Sequence, residues 1–255
     1  MNFYKIIQGD CFDIIPTMPK GSIDLIVTDP PYNLPLEKNS TILIANRKVS
    51  ARRKLDFDFV EFPIDKFVSL IGYALKDGGA FYIFCGDKQF GTYIQTIEKH
   101  PDLVYSMFLV WYSKMGCPSV RKKAYQSHCQ LIIFGHKEIT EKYTFNYSKP
   151  TEMRNLLNVN GCTSFEYKHG KVGEWIGHPT QKPKKLIKKL IQDSSNEGDV
   201  VLDPFLGSGT TMSACQDLKR SCIGIEIDQK YYEMAKNRCY GKQFLDRQVN
   251  YEMCL

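Results

Sequence analysis

Asp29-Pro30-Pro31-Tyr32 puts a carboxylate, two stiff backbone carbonyls and an aromatic ring into four residues. A carboxylate accepts hydrogen bonds or a proton, and the carbonyls accept in directions limited by proline's fixed φ. The ring offers a flat face for stacking. These residues follow DLIVT (24–28), an apolar run that reads as a buried strand. Proline cannot donate to a sheet ladder, so the strand stops at Asp29 and leaves these groups at its carboxyl end.

A second group of residues has the makings of a ligand site. VVLDPFLGSGTT (200–211) reads as an apolar strand, a turn with Gly207 and Gly209, and the start of a helix. Glycine lets a backbone approach a ligand closely, and a helix N-terminus offers free N–H groups. About twenty residues on, CIGIE (222–226) ends another strand in Glu226, a position where an acid typically takes ribose hydroxyls. Three ligands compete. A P-loop needs GxxxxGK[ST], and no lysine follows these glycines. A dinucleotide fold prefers GxGxxG, whereas DPFLGSG has two glycines. S-adenosylmethionine carries ribose and adenine but no phosphate. The carboxylate of Asp203 repels phosphate and suits an ammonium, which favours S-adenosylmethionine. A turn without a ligand is the alternative.

The elements that must hold these groups alternate. Strands are expected at 4–7, 24–28, 80–85, 103–111, 130–135, 199–202 and 222–226, and helices at 63–76, 87–99, 183–194, 208–219 and 229–240. Near-continuous apolar strands suit a sheet covered on both faces, and the alternation argues for an α/β fold with a mostly parallel sheet. No helix separates 103–111 from 130–135, so these are expected to form an antiparallel hairpin at one edge. Residues 33–58 and 136–177 fit no sheet element, and loops this long are expected to be functional or disordered.

Bulk properties narrow the setting. The chain has 255 residues, a 43% hydrophobic composition and a net charge of +6, which permits a polyanionic partner. Its nine cysteines include no CxxC pair, which favours reduced thiols in the cytoplasm and no metal framework. The N-terminus lacks a signal-peptide pattern, and no apolar run reaches the length of a membrane span.

The combination of DPPY (29–32), HPTQKP (178–183), DPFLGSGTT (203–211) and GDC (9–11) resembles the amino-group DNA methyltransferases that modify adenine N6 or cytosine N4. With DPPY ahead of the glycine turn, the order resembles the β group, whose chain is circularly permuted. The resemblance implies a Rossmann-like, seven-stranded, mostly parallel sheet with one antiparallel edge strand, flanked by helices. It implies a catalytic domain over 1–135 and 178–245, a target-recognition insertion at 136–177, and a mobile DNA-binding loop at 33–58.

Under this resemblance Asp29 and the Pro30 carbonyl, stiffened by Pro31, accept the two N–H groups of an exocyclic amine. That draws a delocalised lone pair back onto nitrogen. Tyr32 stacks the extruded base, whose amine is out of reach inside a duplex. Phe205, Gly207, Ser208, Gly209 and Thr210 would line the methionine and ribose side of S-adenosylmethionine, with Asp203 near the methionine amine. Glu226, followed by Ile227, would take the ribose. Asp10, with Cys11 beside it, would face the adenine edge, and His178, Thr180, Lys182 and Pro183 would wrap the methionine end. An Asp-first motif goes with adenine in the family and a Ser-first motif with cytosine, so Asp29 favours N6-adenine. Relatives often carry a Glu just before the strand at 131–135, where this chain has Gln130.

Arg47, Lys48, Arg52, Arg53 and Lys54 in the loop after DPPY, and Arg121, Lys122 and Lys123, are candidate contacts to double-stranded DNA phosphates. Lys184, Lys185, Lys188 and Lys189 read better as the charged face of a helix. The expected function is site-specific adenine-N6 methylation, with a cognate restriction endonuclease as a candidate partner. The alternatives are cytosine-N4 methylation and, in a different class, a DNA-binding protein that holds S-adenosylmethionine without turnover. Relatives are often dimers, while a monomer acting on one strand at a time is equally workable.

Overall fold

In the computed structural model, residues 2–32, 41–44, 47–50, 62–117, 125, 127–140, 142–161, 176–178 and 180–244 are described, with backbone alone at 41–44, 47–50, 114–117, 127 and 242–244. The elements run β1 (Tyr4–Gln8), α1 (Cys11–Ile14), β2 (Ile23–Thr28), β3 (Thr41–Ile44), β4 (Arg47–Ser50), α2 (Ile64–Ala74), β5 (Leu75–Cys85) and α3 (Asp87–Lys99). They continue with β6 (Leu103–Cys117), β7 (Ser127–Lys137), β8 (Leu156–Asn158), α4 (Lys184–Asp193), β9 (Val200–Asp203), α5 (Thr210–Leu218), β10 (Ser221–Glu226) and α6 (Gln229–Phe244).

Eight strands form one sheet in the order β1-β10-β9-β2-β5-β7-β6-β8. The pairs from β1 to β5 are parallel, β7 runs antiparallel to both neighbours, and β8 is parallel to β6. Side-chain alternation along β5 shows how the sheet is covered. Ala80, Tyr82 and Phe84 enter a core shared with α4, α5 and α6. Phe81, Ile83 and Cys85 enter a second core on the opposite face, shared with α1, α2 and α3. Both sets are buried because the strand is covered on both faces, which is why 80–85, its second half, reads as a continuous apolar run.

The expected architecture is present, with two differences. The sheet has an eighth strand, β8, inside the 136–177 stretch that was read as free of sheet elements. The antiparallel strand is β7, which lies between β5 and β6 and not at the edge. Ile132, Ile133 and Phe134 are all buried, so consecutive side chains on both faces of β7 need cover that an edge strand lacks. The outer hairpin strand, β6, leaves Val104, Met107 and Phe108 exposed. Outside this sheet, 33–58 also departs from the expected loop, since β3 and β4 pair antiparallel there from Thr41↔Ser50 to Ile44↔Arg47. Among the described residues, no helix is long and apolar enough to cross a membrane.

Candidate active site

Because β1, β10, β9, β2 and β5 are parallel, their carboxyl ends share one edge of the sheet. Asp10, Glu226, Asp203, Asp29 and Phe84 stand at or just beyond those ends. The chain leaves β9 toward β10 and leaves β2 toward β5, so the two central strands diverge in their connections. Such a switch point opens a crevice in an α/β sheet. The cleft there holds about 610 Å³ and is lined by Asp29, Pro30, Pro31 and Tyr32 on one side and by Asp203, Phe205, Gly207, Ser208, Thr210 and Glu226 on the other. That is the size range of small-molecule sites.

The DPPY side forms a network. The Tyr32 hydroxyl donates to Asp29 Oδ1, and the Lys182 ammonium pairs with Asp29 Oδ2. Gln130, at the start of β7, donates its amide to the Tyr32 hydroxyl oxygen. The Lys182 ammonium also lies 5.1 Å from the Phe84 ring centroid and 5.9 Å from that of Tyr32. The lysine of HPTQKP, expected at the methionine end of a cofactor, thus sits on the carboxylate of the DPPY motif.

The glycine-rich side is built around its backbone. Gly207 has φ +52° and Gly209 φ +73°, both in the left-handed region that glycine adopts freely. Their surroundings differ. A Cβ on Gly207 would stand 3.2 Å from His178 Nε2 at the cleft, whereas one on Gly209 would meet Ala235 at 3.2 Å and Cys239 Sγ at 3.0 Å in α6. Gly209 therefore serves close packing. Glu226 accepts from the Gly207 N–H at 2.7 Å and from the Asp228 N–H at 2.9 Å, tying the turn to the end of β10. Arg238 of α6, which the sequence reading missed, donates to Ser208 O at 3.1 Å and Thr210 Oγ1 at 2.8 Å.

Burial pushes the Asp203 carboxyl up to about 7. Hydrogen bonds from Thr211 and the Phe205 N–H oppose that shift, while the charges of Asp29 and Glu226 add to it. Glu226 is raised as well, chiefly by burial. Four acids, Asp29, Asp203, Glu226 and Asp228, line one cleft, which favours a cationic ligand and disfavours phosphate, in line with the choice of S-adenosylmethionine over a nucleotide phosphate. Burial, followed by the charge of Lys182, pushes His178 down to about 4, so its imidazole is neutral near pH 7. Its Nδ1 accepts from the Thr180 N–H at 3.3 Å, which leaves the ring proton on Nε2, toward Gly207.

Other expected residues fall elsewhere. Asp10 caps α1, accepting from the Phe12 N–H at 2.9 Å, and Cys11 is a buried thiol of the α2–α3 core. Neither lines the cleft, although Gly9 donates to Glu226 O at 3.0 Å and so places Asp10 near its rim. Pro183 occupies the N-cap of α4. Phe205 packs edge-on to Phe62 and Phe67, with its ring partly in the core, and Ile227 is exposed at the cleft mouth. Arg47 and Lys48 belong to β4 by backbone, and Arg52, Arg53, Lys54, Arg121, Lys122 and Lys123 lie outside the described residues. Lys184 and Lys188 pair with Asp217, and Lys189 pairs with Asp193, as a charged helix face would. The cleft also includes Phe84, Thr211, Asp228 and Tyr231. Of these, Phe84 was the most open to detection, since it lies one residue before the end of an apolar strand that the sequence shows.

The fold and this cleft define a Rossmann-like methyltransferase. The structure superposes on the M1.HpyAVI–SAM complex with a TM-score of 0.69 at 26% identity, covering 92% of this chain and 98% of that one. It also matches the cytosine-N4-specific PvuII DNA methyltransferase with a TM-score of 0.68 at 19% identity, covering 96% of this chain and 91% of that one, a likeness of fold. The DNA methylase family profile for N6 and N4 enzymes matches residues 23–237, and the chain belongs to that family. It is 32% identical over 243 residues to the Type II methyltransferase M.HpaI of Haemophilus parainfluenzae, covering 92% of this chain and 73% of the relative. It is 31% identical over 252 residues to the Type II methyltransferase M.HinfI of Haemophilus influenzae, covering 91% and 67%.

Proposed function

We propose that this DNA methyltransferase is site-specific and transfers a methyl group to the N6 amine of an adenine flipped out of the duplex. The observation that carries the reading is that Asp29 and Asp203, at the ends of adjacent strands, face one cleft. An amine held at the first stands beside a cofactor held at the second. S-adenosylmethionine supplies an electrophilic methyl on a sulfonium. The cleft suits it through its volume, its acids and the lack of a side chain at Gly207. Asp203 meets the methionine ammonium and Glu226 the ribose hydroxyls, with Asp10, just beyond the end of β1 and outside the cleft lining, assigned to the adenine edge.

Asp29 and the Pro30 carbonyl accept the two N–H groups of the target amine and bring its lone pair onto nitrogen. Tyr32 stacks the base, and Lys182 holds the Asp29 side chain in place. Catalysis is positioning together with preorganised polarity. Asp29 as the first residue of the motif supports adenine. Circular permutation, target recognition by 136–177 and DNA contacts from 33–58 belong to the same reading. So do a homodimer and pairing with a restriction endonuclease, the latter supported by two relatives named Type II methyltransferases.

The test is transfer of labelled methyl groups to DNA of diverse sequence, followed by digestion to nucleosides. Label in N6-methyladenosine and none with Asp29→Ala is the expected result. Label in N4-methylcytidine would keep the clamp and overturn the base.

A further inference from the structure

We infer that Gln89, which no sequence motif marks, is the positioning residue that aims the Pro30–Pro31 backbone at the target amine. Gln89 lies in the first turn of α3, directly after the end of β5, and is 4% exposed. Its side-chain Nε2 donates to the Pro31 carbonyl at 3.0 Å, joining residues 58 positions apart. The acceptor on Pro31 forces the NH₂ of the amide to face it, so Oε1 points away, and among the described residues Oε1 has no hydrogen-bond partner. An unpaired buried acceptor is unfavourable for folding, and an apolar side chain of the same length would avoid it. The position is therefore poorly explained by stability and well explained by the bond to Pro31.

The geometry gives that bond a purpose. Proline's ring locks φ at Pro31, so holding the Pro31 carbonyl fixes the one remaining soft torsion of the residue. Through the rigid ring this orients the preceding peptide plane, whose oxygen is the Pro30 carbonyl. On the other side it sets the direction in which Tyr32 leaves the backbone. Gly86, which begins the turn that carries Gln89, faces Tyr32, since a Cβ there would stand 3.6 Å from Tyr32 Cβ. Neither Gln89 nor Gly86 lines the cleft, so the residue acts through the DPPY backbone.

The inference rests on reading Asp29 and Pro30 as the amine clamp, and Asp29→Ala is included to separate the two ideas. Gln89→Met and Gln89→Glu are compared with the wild type for kcat, KM for S-adenosylmethionine, thermal midpoint and pH profile. Gln89→Met is expected to lose about 10- to 100-fold in kcat, with an unchanged KM and an equal or higher midpoint. Gln89→Glu donates to Pro31 only when protonated, so its kcat relative to wild type should climb as the pH falls. A wild-type kcat in Gln89→Met, or a flat relative profile in Gln89→Glu, with Asp29→Ala inactive, would overturn the role of Gln89 alone. An active Asp29→Ala, or no transfer by the wild type, would remove the clamp and this inference with it.

Discussion

Asp29 has a partner on each oxygen, Tyr32 on one and Lys182 on the other. An amine placed on Asp29 competes with these partners, and the hydroxyl of Tyr32 is the weaker of the two. Removing that hydroxyl while keeping the ring should therefore do little harm. Tyr32→Phe is expected to hold kcat within about threefold, whereas Tyr32→Ala loses stacking worth about 1–3 kcal/mol per base and should fall by about 5- to 150-fold. Steady-state methyl transfer distinguishes them. Asp203 brings a pH dependence. Its carboxyl is pushed up to about 7, and it meets an ammonium only when ionised. S-adenosylmethionine affinity should rise with pH through about 7 and decline above about 8, where an α-amino group loses its proton. Calorimetric titration from pH 6 to pH 9 should show the rise in the wild type and not in Asp203→Asn. For stability the sign reverses. The folded carboxyl keeps a proton that the unfolded chain has lost, so Asp203 makes the free protein less stable as pH rises from about 4 to about 7, with no further change above.

At the scale of elements, the glycine turn is held from behind by α6. Arg238 binds the Ser208 carbonyl and the Thr210 hydroxyl, and Ala235 and Cys239 press on Gly209. Arg238→Ala should leave the sheet intact and loosen the turn. The expected outcome is about tenfold weaker S-adenosylmethionine binding with a loss of folding stability of about 1–3 kcal/mol, read by titration and denaturant unfolding. Strands buried on both faces, such as β2 and β5, were legible because their apolar runs have no other place to go. β8 was not, since only Leu157 of its three residues is buried and its pairing comes from Val110, Trp111 and Tyr112 of β6. The inner position of β7 was equally hidden, because a hairpin can present either strand to the sheet.

The whole molecule carries a net charge of +6, matching a polyanionic substrate. If Arg52, Arg53 and Lys54 each neutralise a phosphate, replacing all three with Ala should weaken DNA binding. It should also make the plot of log affinity against log salt shallower by up to about 3. Fluorescence anisotropy at several salt concentrations measures both. An unchanged slope would place the phosphate contacts elsewhere on the chain.

The residue types and their order were enough to identify a DNA methylase that uses S-adenosylmethionine. Asp29 beside two prolines, and Asp203 ahead of two glycines, are local patterns whose backbone demands are written in neighbouring residues. Tertiary structure alone decided which groups share a surface. It set Lys182, within the same cleft, against Asp29 and turned Gly209 toward α6. It set Asp10 to capping a helix and drew Gln89 and Gln130 in behind Pro31 and Tyr32. Those contacts join positions far apart in the chain, and no spacing records them. They follow from which strand lies beside which and where each strand ends.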